Sequence, residues 1–143
     1  MKTASINEAE RVKVPTESII KLPLGLLGFE ENKGYVLLTN PDEAPFMWLQ
    51  MLDEPKQAFL VVPPAIAFSD YRPDLSVEDV KFLGLEKPDE ALIFNIVTLR
   101  GPNQATVNLK GPVVLNRLTL LGKQVIPLNA ADYDLQCPLD TAS

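Results

Sequence analysis

Histidine is absent from the 143 residues, and cysteine occurs once, at Cys137. Without histidine there is no Ser-His-Asp or Cys-His triad, no imidazole base at neutral pH and no imidazole metal ligand. One cysteine makes neither an internal disulfide nor a thiolate zinc cluster, in keeping with a reducing compartment. Cys137 lies between Gln136 and Pro138, with no adjacent base to activate it, and reads as an incidental thiol. Long hydrophobic runs are also missing. The longest, Ala58 to Phe68, is broken by Pro63-Pro64 and reaches about half a membrane span. The first ten residues lack a stretch of signal-peptide length, so a cytoplasmic protein without membrane insertion is expected.

What is present is a chain of ordinary domain length with 46% apolar residues, enough to bury a core without metal or disulfide. Its net charge is −6, unevenly spread. Residues 1–90 hold 16 acids and 9 bases, whereas residues 91–131 hold no acid and four bases, Arg100, Lys110, Arg117 and Lys123. The remaining acids are Asp132, Asp134 and Asp140. The densest acidic stretch runs from Asp70 to Glu90. Such a surface is repelled by phosphate backbones, which argues against direct nucleic-acid binding, and it attracts basic partners.

Helical periodicity is scarce and period-two patterning dominates. Strands are expected at Arg11–Val14, Ile19–Leu22, Tyr35–Thr39, Phe46–Leu52, Ala58–Val62, Ala91–Leu99, Gln104–Lys110, Val113–Leu115 and Lys123–Leu128, with turn residues between them. Ala91–Leu99 is almost wholly apolar, so both of its faces are expected to be covered. In Gln104–Lys110 the alternation directs Ala105, Val107 and Leu109 inward. One segment is helical: Ser76 is a suitable N-cap, Glu78 and Asp79 suit the first turn, and Gly84 provides a stop. The expected fold is all-β, a small antiparallel β-barrel-like domain with one short inserted helix. It would occupy residues 11–143, preceded by an extension over residues 1–10.

Chemical motifs are few. Gly122-Lys123 is followed by Gln and lacks the glycine spacing of a phosphate loop. Glu30/Glu31, Asp53/Glu54 and Asp70/Asp74 are paired carboxylates in turns, which would need a converging pocket to serve acid–base work or a cation. Phe68 and Tyr71 sit among prolines and acids, a pattern suited either to an interface anchor with a charged rim or to plain loop packing.

Four motifs in series resemble a known family. Leu22-Pro23-Leu24-Gly25-Leu26-Leu27-Gly28-Phe29-Glu30 is similar to the Gly-x-x-Gly-Phe-Glu signature of the bacterial flagellar assembly factor FliW. The other three are Phe46 to Gln50 with Asp53, Pro55, Ala58-Phe59 and Pro63; Thr106 to Asn116; and Gly122 to Ile126 with Tyr133. The chain departs from that pattern at Leu118, Leu120 and Leu121, where relatives carry polar or basic residues. It also departs between Tyr133 and Pro138, where no basic residue stands.

The resemblance implies a non-enzymatic regulator without cofactor or metal. FliW-like proteins bind CsrA, a dimeric RNA-binding repressor, and keep it from blocking translation of flagellin messenger RNA. They also bind flagellin, which withdraws them from CsrA. On that basis Phe68, Asp70, Tyr71, Asp74, Asp132 and Asp134 are expected to face CsrA, and Leu118, Leu120 and Leu121 to face flagellin. A monomer is expected when free. A generic adaptor of the same fold, or a carboxylate enzyme or small-molecule binder, are the alternatives.

Overall fold

The computed structural model describes residues 19–53, 57–64, 70–102 and 104–140. The strand expected at Arg11–Val14, the extension over residues 1–10 and Phe68 lie outside them. Nine strands occur among the described residues: β1 (Ile20–Lys21), β2 (Gly34–Thr39), β3 (Met47–Met51), β4 (Ala58–Val62), β5 (Ala91–Gly101), β6 (Gln104–Val107), β7 (Val113–Asn116), β8 (Gly122–Gln124) and β9 (Cys137–Asp140). All strand pairings are antiparallel, in the order β1-β2-β3-β4-β5-β6-β9, with β7 and β8 branching from β5.

The branch follows from the length of β5. Its first half pairs with β7 (Ala91↔Asn116 to Phe94↔Val113) and its second with β6 (Val97↔Val107 to Gly101↔Gln104). Between β6 and β7 the Asn108 Oδ1 accepts the backbone N–H groups of Lys110 and Gly111, at 2.9 and 3.0 Å. This side-chain turn ends the ladder, so the expected strand to Lys110 stops at Val107. Ala105, Val107 and Leu109 are nonetheless buried as the alternation required. The sheet curls until the Lys21 N–H donates to the Leu120 carbonyl at 2.9 Å, beside a parallel bridge between Lys21 and Leu121. The result is barrel-like but not a closed barrel.

Apolar residues cover both faces of the central strands. Leu49, Met51, Val61, Phe94, Val113 and Leu115 join Ile20, Leu22, Leu26 and Tyr35 in one core. Trp48, Leu60, Val62, Val97, Ala105, Val107, Leu109, Tyr133 and Leu139 form a second, and Leu83, Val114 and Val125 a smaller third. Adjacent residues such as Trp48 and Leu49 therefore enter different cores, which is why β3 and β4 read as continuous apolar runs. Gln50 is buried on the same strand, and its Nε2 donates to the Met51 carbonyl at 2.8 Å.

The helix α1 spans Val77–Leu83 as expected. The Ser76 side chain accepts the Asp79 N–H, and Gly84 ends the helix in the left-handed conformation at φ 66°. Of its apolar residues only Leu83 is fully buried, while Val77 is 68% exposed. Leu83 packs with buried Val114 and Val125, and the helix is also held by an ion pair between buried Asp79 and Lys123 of β8, whose ammonium lies 5.5 Å from the centre of the Phe82 ring.

Three further expectations are corrected. β5 is not covered along its whole length, since Leu99 near its end is 57% exposed. The strand expected over Lys123–Leu128 ends at Gln124, because the chain leaves the sheet toward Pro127 and the Leu128 N–H donates to the Asp74 carbonyl. Cys137–Asp140, beyond the last of the expected strands, forms β9. Pro138 masked it. A proline cannot donate to a ladder, but β9 lies at the sheet edge and pairs with β6 alone, where a missing donor is tolerated.

Candidate functional site

The acidic stretch after residue 70 and the segment 127–134 lie more than fifty residues apart in the chain. The structure clamps them together. The Arg72 N–H donates to the Tyr133 hydroxyl at 2.9 Å, and the Asn129 Nδ2 donates to the Arg72 carbonyl at 3.0 Å. The Asp74 N–H donates to the Asn129 Oδ1 at 2.9 Å, and the Leu128 N–H to the Asp74 carbonyl at 2.7 Å. Asn129 thus acts as a two-ended clasp between the segments. Nothing in a linear reading singled it out, since an asparagine close to a proline signals only a turn.

Two tyrosines close the clamp from beneath. The Tyr71 and Tyr133 rings meet edge to face, 4.6 Å between centroids. The Tyr71 hydroxyl donates to the Leu109 carbonyl at 2.6 Å. Tyr71 is half-buried against the second core, so its ring anchors the loop from inside. Asp70, Asp74, Asp132 and Asp134 remain exposed on the clamped segments. The structure therefore brings the four expected acids onto two mutually bonded loops. Behind them, between α1 and the start of β5, lies a cleft of about 330 Å³ lined by Pro73, Leu75, Val80, Leu85 and Ile93.

The three leucines of the 118–121 turn are placed differently from one another. Leu118 is 71% exposed, whereas Leu120, at φ 62°, packs against the first core and Leu121 is half-buried. The turn is shaped by buried Asn116, whose Oδ1 accepts the Leu118 and Thr119 N–H groups at 2.8 and 3.3 Å. Among the described residues the carboxylates paired in sequence do not meet in a pocket: Glu30, Glu31, Asp53, Asp70 and Asp74 are all exposed, and Glu54 lies outside those residues. No cluster of three or more potential metal-binding His, Cys, Asp or Glu occurs among the described residues. Among those residues, too, no helix is long and apolar enough to cross a membrane. Burial and the nearby Asp134 raise the Cys137 thiol above its ordinary pKa, the opposite of activation.

The clamp has a pH signature. Burial pushes the hydroxyls of Tyr71 and Tyr35 up to about 12. Unfolded tyrosine ionises at about pH 10, so the folded chain keeps protons that the unfolded chain has lost. Stability is thus fully present below that value and falls as pH rises toward 12, by up to about 2–3 kcal/mol for each tyrosine. Tyrosinate absorbance followed alongside urea midpoints from pH 9 upward checks this. Ionisation of every tyrosine near pH 10 without loss of stability would contradict it.

Fold and surface together define a curled all-β domain whose acids are gathered on two loops clasped to each other. Residues 4–139 match the family model described as FliW protein. The chain is 37% identical over 135 residues to the flagellar assembly factor FliW of Leptospira interrogans serovar Lai, covering 93% of this chain and 90% of that one. It is 39% identical over 128 residues to that of Geobacter sulfurreducens, covering 89% and 79%. A crystal structure of the flagellar assembly factor FliW superposes with a TM-score of 0.78 at 29% identity, over 90% of this chain and 88% of that one. The chain belongs to the FliW family of flagellar assembly factors.

Proposed function

We propose that the chain is a protein-binding translational regulator of flagellum assembly that acts in the cytoplasm as a monomer and makes or breaks no covalent bond. It binds CsrA and antagonises repression of flagellin messenger RNA; flagellin binds it in turn and withdraws it. The observation that carries this reading is the Asn129 clasp. It holds the acids of residues 70–74 and 132–134 on two bonded loops, so a basic surface meets them as one field. Tyr71, half-buried beneath these acids, and Phe68, which lies outside the described residues, are proposed CsrA contacts as well. A carboxylate-rich face brought beside an RNA-binding groove repels phosphate without occupying the groove, which makes the inhibition non-competitive. Leu118, exposed on an Asn116-shaped turn, leads the flagellin contact with Leu120 and Leu121 behind it.

Reversing two of these charges, Asp70→Lys with Asp74→Lys, is expected to weaken CsrA binding at least tenfold at low ionic strength. The loss should shrink toward nothing at ~1 M salt, where the screening length is only about 3 Å. Titration calorimetry over a salt series measures both. Both side chains are exposed, so the variant should keep its unfolding midpoint. Affinity equal to the unaltered chain at every salt concentration would remove this face from the account.

A further inference from the structure

Within the two clasped segments, 70–74 and 127–134, one large apolar side chain stands exposed: Leu128, at 68%. It packs into none of the three cores, so the fold does not call for a leucine there. Nor does the local backbone. The Ala130 N–H donates to the Pro127 carbonyl at 3.0 Å, which places Leu128 at the tip of a tight turn. Turn tips favour proline, glycine and short polar residues, each for a conformational reason that leucine does not share.

That turn is held from several sides. The Leu128 N–H donates to the Asp74 carbonyl at 2.7 Å, and the Asn129 side chain bonds the backbone of both Arg72 and Asp74. The Asp132 N–H donates to the Asn129 carbonyl at 3.0 Å and the Tyr133 N–H to the Ala130 carbonyl at 3.1 Å, so the chain winds on without a slack residue. The Lys110 ammonium, from the connection between β6 and β7, donates to the Ala130 carbonyl at 2.9 Å. A side chain carried on a backbone fixed in this way loses little freedom when a partner covers it.

The surroundings of Leu128 say which partner fits. Asp74 is bonded to it through the backbone, Asp132 and Asp134 follow on its own segment, and Asp70 opens the other. Arg72 and Lys110 offset part of this charge, leaving four acids against two bases. A protein interface places its apolar contact inside a polar rim, and the rim here is mainly negative. Tyr71 does not fill the centre by itself. It is half-buried, and its hydroxyl is spent on the Leu109 carbonyl.

We propose that Leu128 is the apolar anchor of the acidic face, received by an apolar depression ringed with lysine or arginine on the basic partner. The inference rests on the CsrA reading above and adds the contact that charge does not supply. Salt separates the two contributions, because screening weakens charge pairs and leaves apolar burial in place. In titration calorimetry with CsrA, Leu128→Ser should bind about tenfold more weakly, and by the same factor at low salt and at ~1 M salt. The Asp70→Lys, Asp74→Lys pair loses its effect over that range. Leu128→Met, apolar and of similar volume, should bind as the unaltered chain does, and so should Leu99→Ser, an exposed leucine outside these segments. Serine keeps the backbone N–H that bonds Asp74, so the unfolding midpoint should not move. If Leu128→Ser binds as well as the unaltered chain while the charge reversal weakens binding, the anchor is wrong and the acidic face stands. A Leu128→Ser loss that disappears at high salt, or an equal loss in Leu128→Met, would also overturn the anchor. An unaltered chain that does not bind CsrA would overturn both readings together.

Discussion

Replacing Gly25 with alanine should cost about 3 kcal/mol or more, a sizeable share of the ~5–15 kcal/mol that holds a typical domain together. Two effects add at this position. Gly25 has φ 67°, a conformation that disfavours a Cβ by roughly 1 kcal/mol. A Cβ there would also overlap the Phe29 carbonyl oxygen and the Glu30 Cα, both backbone atoms that cannot rotate aside. Relief would require opening the turn that positions Leu22 and Leu26 in the first core. Gly28 supplies the control. It too has positive φ, at 90°, but a Cβ there would meet nothing within 4 Å. Gly28→Ala should therefore lose only the conformational part, about 1–2 kcal/mol. Urea unfolding of the two variants separates strain from overlap, and equal losses would show that the close approach at Gly25 does not exist.

Removing the Asn116 side chain ranks next, at about 3 kcal/mol. Its carboxamide is buried and spans two structures. The Nδ2 donates to the Leu83 carbonyl at the end of α1 at 2.8 Å, while the Oδ1 accepts the Leu118 N–H at 2.8 Å. Asn116→Ala strands both ends, and each buried group left unpaired costs ~1–3 kcal/mol. Asn116→Asp keeps the acceptor but sets a carboxylate oxygen against the Leu83 carbonyl oxygen in a buried site, so its loss should be at least as large as that of Asn116→Ala. Hydrogen exchange gives the local view: the Leu118 and Thr119 amides should exchange faster in Asn116→Ala than in the unaltered chain. A loss below about 0.5 kcal/mol, the range of an ordinary surface substitution, would mean that the bridge is not energetically coupled to the fold.

Local signals carried most of the architecture. α1 was legible because Ser76 and Gly84 mark its two ends, and these caps act within a few residues. β2, β3 and β4 were legible as apolar runs between turn residues, and the structure gives the reason: their neighbouring residues feed two different cores. β9 was hidden because Pro138 opposes strand formation locally, and only its place at the edge of β6 permits it. β8 was overextended because Val125 to Leu128 is apolar, although a bond from Leu128 to the Asp74 carbonyl draws that segment out of the sheet.

The same division applies to the surface. The acids of 70–74 and 132–134 could be flagged from composition, but that they share two bonded loops depends on contacts across more than fifty residues, such as Asn129 with Asp74. The edge-to-face meeting of Tyr71 and Tyr133 was invisible for that reason, and the burial of Asp79 against Lys123, 44 residues away, was equally hidden. Nor did Leu128 announce an anchor. The sequence shows one leucine after Pro127, while the loop it is bonded to, at Asp74, lies more than fifty residues earlier.

The central claim is that this domain regulates through contact and charge. Titrating it into a preformed complex of CsrA with a fluorescent flagellin leader RNA tests that most directly. RNA should be released with a plateau set by the domain rather than by RNA concentration, and added flagellin should restore the complex. RNA that stays bound at saturating domain, with or without flagellin, would contradict the account.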